Sequence, residues 1–577
     1  MYIEVVPNRN SRPAILLREG WREAGKIYKR TLANLSDWSP ARIEALRRVL
    51  KDEPLLAVQE AFVTERSLPH GHVQAVLDTI KRLQLDTLIA PKRSPERDLV
   101  LAMLVERLIH PCSKLATTRL WHTTTLAQEL GVGQADEDDL YAAMDWLLER
   151  QARIEQRLAA RHLGNGAQVL YDVTSSYYEG HTCPLMRFGH DRDGQRGCPI
   201  VVYGVMSDRL GRPIAVQAYP GNTGDPSTLP DQVDELRARF GLEQVVLVGD
   251  RGMLTHTQIE ALKQHPGLGW ISALRASDIR QLVEADALQL SLFDEQHLAE
   301  ISAAQFPGER LVACYNPLLA QERTRKRAAL LAASAQQLDK IVAEVARRTK
   351  TPLKASAIGQ KVGKVLNRYK MGKHFELSIA DGQFAYARRE ETIAREAALD
   401  GIYVIRTSEP ASRLSAEDTV RSYKNLAQVE HAFRCLKGID LLVRPIRHRD
   451  EQRVRAHLFL CMLAYYVEWH MRAALAPLLF DDEQLSGDRA TRDPVAPAKA
   501  SASAQRKKIK RMSPEGWPVH SFETLLAELA TLCRNRSRIK GDSNSMPFDH
   551  LTQPTPLQQR AFQLLEDALP VAGGPIP

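Results

Sequence analysis

The chain has 577 residues, 44% hydrophobic and 26% charged, with 78 Lys and Arg against 70 Asp and Glu. That balance is ordinary for a globular protein and excludes wholesale disorder; at roughly 100–200 residues per domain it predicts about three to five domains. Its longest apolar run, 458–467, is too short for a membrane span of ~20 residues, and the opening MYIEVVPNRNSRP lacks the pattern of a signal peptide.

Short strands are predicted at 2–6, 13–17 and 26–31, separated by polar turns, as a small β-module. Residues 96–163 read as helical: Leu99, Leu101, Leu104, Val105 and Leu108 share a helical spacing that Pro111 ends. Further helices at 125–130 and 136–153 flank Gly131 and Gly133. Short helices joined by a glycine turn suit either a helix-turn-helix DNA reader or an ordinary bundle, and both readings stand.

From 167 onward strands are expected at 168–176, 199–207, 212–218, 244–249 and 268–274, with helices at 227–240 and 256–264. Three consecutive strands followed by alternation with helices indicate a mixed α/β sheet. Residues 275–398 interrupt it, and Asp381-Gly382 between HFELSIA and QFAYA marks a hairpin inside the interruption. The α/β pattern resumes with a strand at 401–407, helices at 416–437 and 450–472, a linker-like stretch at 485–515 and a helix at 522–532.

The seven cysteines are scattered without a CxxC pair, which argues against a disulfide framework and for a reducing cytoplasm. His181, Cys183, His190 and Cys198 share one loop, but their spacing matches no zinc site. Charge is segregated. Between 321 and 374 fourteen cations, among them Arg323, Arg325, Lys326, Arg327, Arg347 and Arg348, face only Glu322, Asp339 and Glu344. A second cluster comprises Arg506, Lys507, Lys508, Lys510 and Arg511. Segregated positive charge attracts a polyanion, because binding phosphates releases condensed counterions. A nucleic acid is the expected partner, with a solvated surface helix as the alternative.

Three acids are candidates for chemistry. Asp172 lies inside the apolar strand VLYDVTSS, where a carboxylate is costly unless paired or bound to a cation. Asp250 closes the apolar strand VVLVGD, at the end where α/β sheets hold ligands. Glu430 lies in YKNLAQVEHAFRCLK, where Tyr423, Leu426, Arg434 and Lys437 fall on its helix face. Together they offer three hard oxygen ligands of the kind Mg²⁺ takes, two ions of which serve in-line displacement at phosphorus. Arg251, Tyr423, Arg434 and Lys437 are then placed to hold the flanking phosphates.

On these residues the chain resembles the DDE transposases of bacterial insertion sequences, in the branch marked by Tyr-x2-Arg-x3-Glu-x6-Lys. Tyr423, Glu430 and Lys437 fall on the pattern, whereas Leu426 stands at its Arg. YDVTSSYYEG and VGDRGM resemble the settings of the family's two aspartates, and 189–225 (GHDRDGQRGCPIVVYGVMSDRLGRPIAVQAYPGNTGD) its second and third strands. The resemblance implies a ribonuclease H-like mixed sheet flanked by helices and interrupted by an α+β insertion domain. It implies Asp172, Asp250 and Glu430 as catalytic metal ligands, two Mg²⁺ ions with Mn²⁺ able to substitute, cleavage at the element's terminal inverted repeats, joining of 3′ ends to target DNA, a homodimer in the synaptic complex, and a cytoplasmic, nucleoid-associated protein. Some relatives pass through a DNA hairpin aided by the Arg of the pattern and an insertion-domain Trp. Leu426 and the lack of Trp in 275–398 leave that step open, with Arg434 offering a substitute cation.

The expected division is a β-module and connector at 1–95, a helical DNA-binding region at 96–165, core at 166–274, basic insertion at 275–398, core again at 399–480, and a linker with helical tail at 481–577. Two rival readings are a transposase-derived DNA-binding protein without catalysis and a ribonuclease H-like nuclease without strand transfer. A paired-carboxylate glycoside hydrolase fits poorly with 6% aromatic residues and a basic segment.

Overall fold

The computed structural model describes residues 1–9, 11–53, 62–294, 296–496, 499–540 and 546–569. The parts of the expected connector at 54–61, and of the linker and tail at 497–498, 541–545 and 570–577, lie outside the described residues. The chain divides into two compact units: 1–68 with 533–553, and 69–532 with 554–577.

In the first unit β1 (Tyr2–Val6), β2 (Ala14–Glu23) and β3 (Lys26–Asn34) form an antiparallel sheet, followed by a helix at Pro40–Val49 capped by the Ser39 hydroxyl. The strand β4 (Phe62–Pro69) closes this part of the chain.

The second unit opens with helices at Gly71–Arg82 and Leu85–Ile89, which the sequence reading leaves in a connector. Helices Pro95–Ile109, Lys114–Leu120, Leu126–Leu130, Glu137–Leu148 and Gln151–His162 follow. The expected helix at 136–153 is thus two helices, broken at 149–150. Every residue from Asp98 to Leu108 of the helix Pro95–Ile109 is buried, its apolar side chains in the main core.

The sheet strands are β5 (Ala167–Tyr177), β6 (Ile200–Asp208), β7 (Pro213–Pro220), β8 (Val245–Val248), β9 (Leu268–Ala273), β10 (Leu298–Ile301) and β11 (Arg310–Tyr315). After a long helix, Pro317–Arg347, and a second at Ala355–Tyr369, β12 (Phe375–Ala380) and β13 (Gln383–Arg388) form the expected hairpin, with Gly382 at φ +71°. A helix at Glu390–Ala397 leads back to the sheet through β14 (Ile402–Thr407). The sheet order is β10-β11-β14-β9-β8-β5-β6-β7. Within it β7-β6-β5 are antiparallel, while β5, β8 and β9 are parallel. Those five strands form the ribonuclease H-like core, and β14, β11 and β10 extend it by antiparallel pairing.

The expected insertion therefore starts too early at 275, because β10 and β11 belong to the central sheet. What stands apart is 317–398, with its own small core of Leu331, Leu338, Ile341, Val345, Ile358, Val362, Phe375 and Phe384. The helix Glu451–Leu475 is buried almost throughout and packs on β7 and the N-terminal helices, which accounts for the apolar run within it. No helix among the described residues is long and apolar enough to cross a membrane.

The C-terminal part is not a simple linker and tail. Helices occur at Leu485–Thr491 and Ala502–Lys510, and Lys507 of the second basic cluster is fully buried, donating to the carbonyls of Ala476 (2.7 Å) and Asp481 (3.1 Å) and paired with Glu483. After the helix Phe522–Ala530, β15 (Cys533–Ile539) and β16 (Phe548–Leu551) join the first unit in a sheet ordered β16-β15-β4. A last helix, Pro556–Ala568, returns to the second unit.

Candidate active site

Asp172 and Asp250 are placed by sheet register. β5 and β8 run parallel with Leu170 opposite Val248, so each aspartate stands two residues beyond that pair on a neighbouring strand. Asp172 remains inside β5, opposite Val205 of β6, and its Oδ1 accepts the Val173 N–H at 2.8 Å. Burial pushes its carboxyl up to about 7, and the nearby Asp250 and Asp225 add to the rise. The Val173 N–H and the Arg192 guanidinium work against it. A half-buried carboxylate beside another is electrostatically costly, and a cation relieves that cost.

Asp250 lies past the strand end, exposed, and its Oδ1 accepts the backbone N–H groups of Gly252 (2.9 Å) and Met253 (2.7 Å). Its backbone oxygen accepts the Ser272 hydroxyl (3.1 Å) from β9. This local turn orients the carboxylate without any long side chain.

Glu430 is exposed on the helix Leu426–Lys437, which packs on β5. The expected continuous helix at 416–437 is interrupted at Asn425, so Tyr423 belongs to the preceding helix Ala416–Lys424. Asn425 keeps helical dihedrals (φ −66°, ψ −15°), so the phase of the two pieces is nearly preserved. The Tyr423 hydroxyl is pushed up to about 12, first by burial, then by the charges of Asp250, Glu430 and Asp172, with Arg251 opposing. All three acids and Arg251 thus lie within electrostatic range of one phenol. Leu426, at the family's Arg position, is half-buried against the main core.

Of the cations expected at phosphates, Arg251 and Arg434 are exposed. Lys437 is not available. Its side chain is 11% exposed and donates to Asp193 Oδ1 at 2.9 Å. In the insertion, Arg323, Arg325, Lys326, Arg347 and Arg348 are exposed, the last paired with Glu344 at 3.4 Å. Arg327 is a second correction: it is buried and forked onto Asp400, whose side chain is equally buried. Its helical phase turns it toward the core side of its helix, which a charge count does not register.

The sequence gives no role to Arg192 and Asp193 in the loop between β5 and β6. There Arg192 holds both oxygens of Asp225 at 2.5 Å, its backbone N–H donates to Ser175 Oγ (3.2 Å), and Asp193 gathers Lys437, Arg444 and the Tyr177 N–H. The loop seats tightly because Gly189 lies against Gly221; a Cβ on Gly189 would stand 1.9 Å from the Gly221 carbonyl oxygen. The motif HDRDG signals charge here, but nothing in it reveals the partners.

Among the described residues, the one group of three ligand-type side chains within 4.8 Å of one another is Cys435, Asp440 and Glu468, not the 181–198 loop. Arg472 occupies it, with Nε 2.6 Å from Glu468 and a second nitrogen 3.2 Å from Asp440. It is a buried ion-pair network. The three candidate acids are spaced more widely than this group.

Residues 169–467 match the family described as transposase DDE domain, and residues 3–58 match the IS1634 family transposase N-terminal domain. No curated protein matches the chain. A solved cryo-EM structure of a piggyBac transposase synaptic complex with hairpin DNA aligns over 80% of this chain and 79% of that one, at 10% identity and a TM-score of 0.34. With the DDE match spanning more than half of its residues, the chain belongs to the DDE transposases of insertion sequences.

Proposed function

We propose that this transposase cuts DNA at the ends of its own insertion sequence and joins the freed 3′ ends to target DNA, with Asp172, Asp250 and Glu430 as the catalytic metal ligands. What supports this reading is that Asp172 and Asp250 stand on adjacent parallel strands in matching register and that the helix carrying Glu430 packs on the strand of Asp172. The donor set fits a hard divalent cation: all three side chains are carboxylates, and the innermost is raised toward neutrality by burial and a like charge. Two Mg²⁺ ions held there, or Mn²⁺, would supply activation of the attacking oxygen and stabilisation of the leaving oxygen in an in-line displacement.

The chain's own groups supply position and charge. Asp172 is fixed by the sheet, Asp250 by its turn and Glu430 by its helix. Arg251 and Arg434 hold phosphates beside the scissile bond. Tyr423 keeps its proton at neutral pH and donates to a phosphate oxygen. Arg323, Arg325, Lys326, Arg347 and Arg348 follow the duplex backbone, which fixes register without reading sequence. Two copies pair the two ends as a homodimer, working in the cytoplasm at the nucleoid.

The test is nicking of a plasmid carrying the element's ends, with Mg²⁺ and with EDTA. Metal-dependent nicks at the ends together with joined donor–target products are expected. Nicks without joined products favour a nuclease, and end binding without nicks favours a DNA-binding protein derived from a transposase.

A further inference from the structure

Asp193 is among the most enclosed carboxylates near the site, with its side chain 1% exposed. Its Oδ1 receives Lys437 Nζ at 2.9 Å and an Arg444 guanidinium nitrogen at 2.5 Å, and its Oδ2 receives the Tyr177 N–H at 3.0 Å. Three separate pieces of chain therefore end on one carboxyl group: the last residue of Glu430's helix, the segment after that helix, and the end of Asp172's strand.

The same seam is reinforced by backbone bonds. The Ile446 N–H donates to the Tyr177 carbonyl (3.1 Å), the Glu179 N–H to the Ile446 carbonyl (2.9 Å), and Tyr178 Oη to the His448 carbonyl (3.0 Å). Arg444 Nε also donates to the Lys437 carbonyl (3.2 Å), satisfying a helix-terminal acceptor. Glu430 lies two turns before Lys437, and Asp172 five residues before Tyr177. The tie through Asp193 is a polar side-chain link between the element that carries one acid and the element that carries the other.

We infer that Asp193 is a positioning residue: by binding Lys437, Arg444 and the Tyr177 N–H together, it fixes the helix that carries Glu430 against the strand that carries Asp172, and so sets how the two carboxylates face a divalent cation. The inference rests on the proposed metal role of Asp172, Asp250 and Glu430. It also gives the motif lysine a different task from phosphate contact. Groups that orient metal ligands without touching the metal cost about 10–100-fold in metal affinity or activity when removed.

The test uses the full-length protein and Mn²⁺ as probe, with binding measured by calorimetry in the absence of DNA and nicking measured against metal concentration. Asp193→Asn should weaken Mn²⁺ binding about tenfold or more and shift the metal dependence of nicking to higher concentration, with much of the rate recovered at saturating metal. Asp193→Glu should recover part of the affinity. Lys437→Met leaves Asp193 with Arg444 and the Tyr177 N–H, so it should fold if Asp193→Asn does not and should show a smaller shift in the same direction. Unchanged Mn²⁺ affinity in a folded Asp193→Asn or Lys437→Met protein overturns the inference. Glu430→Gln separates the two levels: if it too leaves Mn²⁺ affinity unchanged, the metal-site reading itself fails, whereas loss in Glu430→Gln alone sinks only the role of Asp193.

Discussion

The central sheet and the basic insertion place charged side chains by opposite means. In the sheet, Asp172 and Asp250 owe their neighbourhood to parallel register between β5 and β8, and the acid-bearing helix is tied to the strand through a buried carboxylate. The backbone decides where each charge stands. In the segment 317–398 two helices and a hairpin enclose a small apolar core of their own, and most cations stand on the outside without a fixed partner geometry. The first arrangement suits chemistry that fails on a displacement of an ångström, the second a polyanion whose charge repeats along its length. The lesson is that a charged residue's role follows from what its backbone is bonded to. Lys437 and Arg327 lie within cationic sequence, yet each is committed to a buried aspartate.

The largest effect should come from the sheet. Asp250→Asn removes one charge and little volume, and nicking should fall by more than about a hundredfold, with DNA binding in a mobility-shift assay unchanged. Near-normal nicking would remove the acid from the site.

In the insertion, Arg327→Met leaves Asp400 buried without its partner and should cost about 3 kcal/mol in denaturant unfolding. The exposed neighbour change Arg325→Gln should leave stability within about 0.5 kcal/mol. Equal effects at the two positions would erase the distinction between buried and solvent-facing cations.

A third test uses proton linkage. The folded Asp172 carboxyl is raised to about 7, so its contribution to stability is fully present below the ordinary carboxylate value of about 4 and is lost as pH rises through about 7. In metal-free buffer Asp172→Asn should therefore be more stable than the native protein at pH 8, by about 4 kcal/mol, and the gap should close toward pH 4. Adding Mg²⁺ at pH 8 should stabilise the native protein and not the variant. A gap independent of pH would mean that burial and Asp250 do not press on this carboxyl.

The smallest expected change is in salt dependence. Replacing Arg325 and Lys326 together by Gln should weaken DNA binding and reduce the slope of log affinity against log salt by about two. An unaltered slope would place the insertion away from the duplex.

Much of this arrangement is legible in the sequence where apolar periodicity is strong. The five strands of the ribonuclease H-like core show as β-branched or apolar runs bounded by turns, and the hairpin at Asp381-Gly382 announces itself through its turn residues. Asp172 and Asp250 stand out because each departs from an apolar run, and Glu430 because Tyr423, Arg434 and Lys437 share its helix face. What the sequence hides is pairing between distant segments. Nothing in the short run at 310–315 says that it joins β14 rather than a sheet of its own. The helix at 71–82 looks like connector because its burial depends on partners elsewhere in the chain. The break at Asn425 lacks a proline or glycine to mark it. Ion pairs such as Lys437 with Asp193 span 244 residues, beyond any local pattern.

The sheet made of β4, β15 and β16 joins Phe62–Pro69 to Cys533–Ile539 and Phe548–Leu551. Its first strand therefore waits, during translation, until nearly the whole polypeptide has left the ribosome. A product stopped short by a frameshift or a nonsense codon before 533 carries an unpaired β4 edge, exposed to quality-control proteases. The amino-terminal module is in this way complete only when the carboxyl-terminal strands are present.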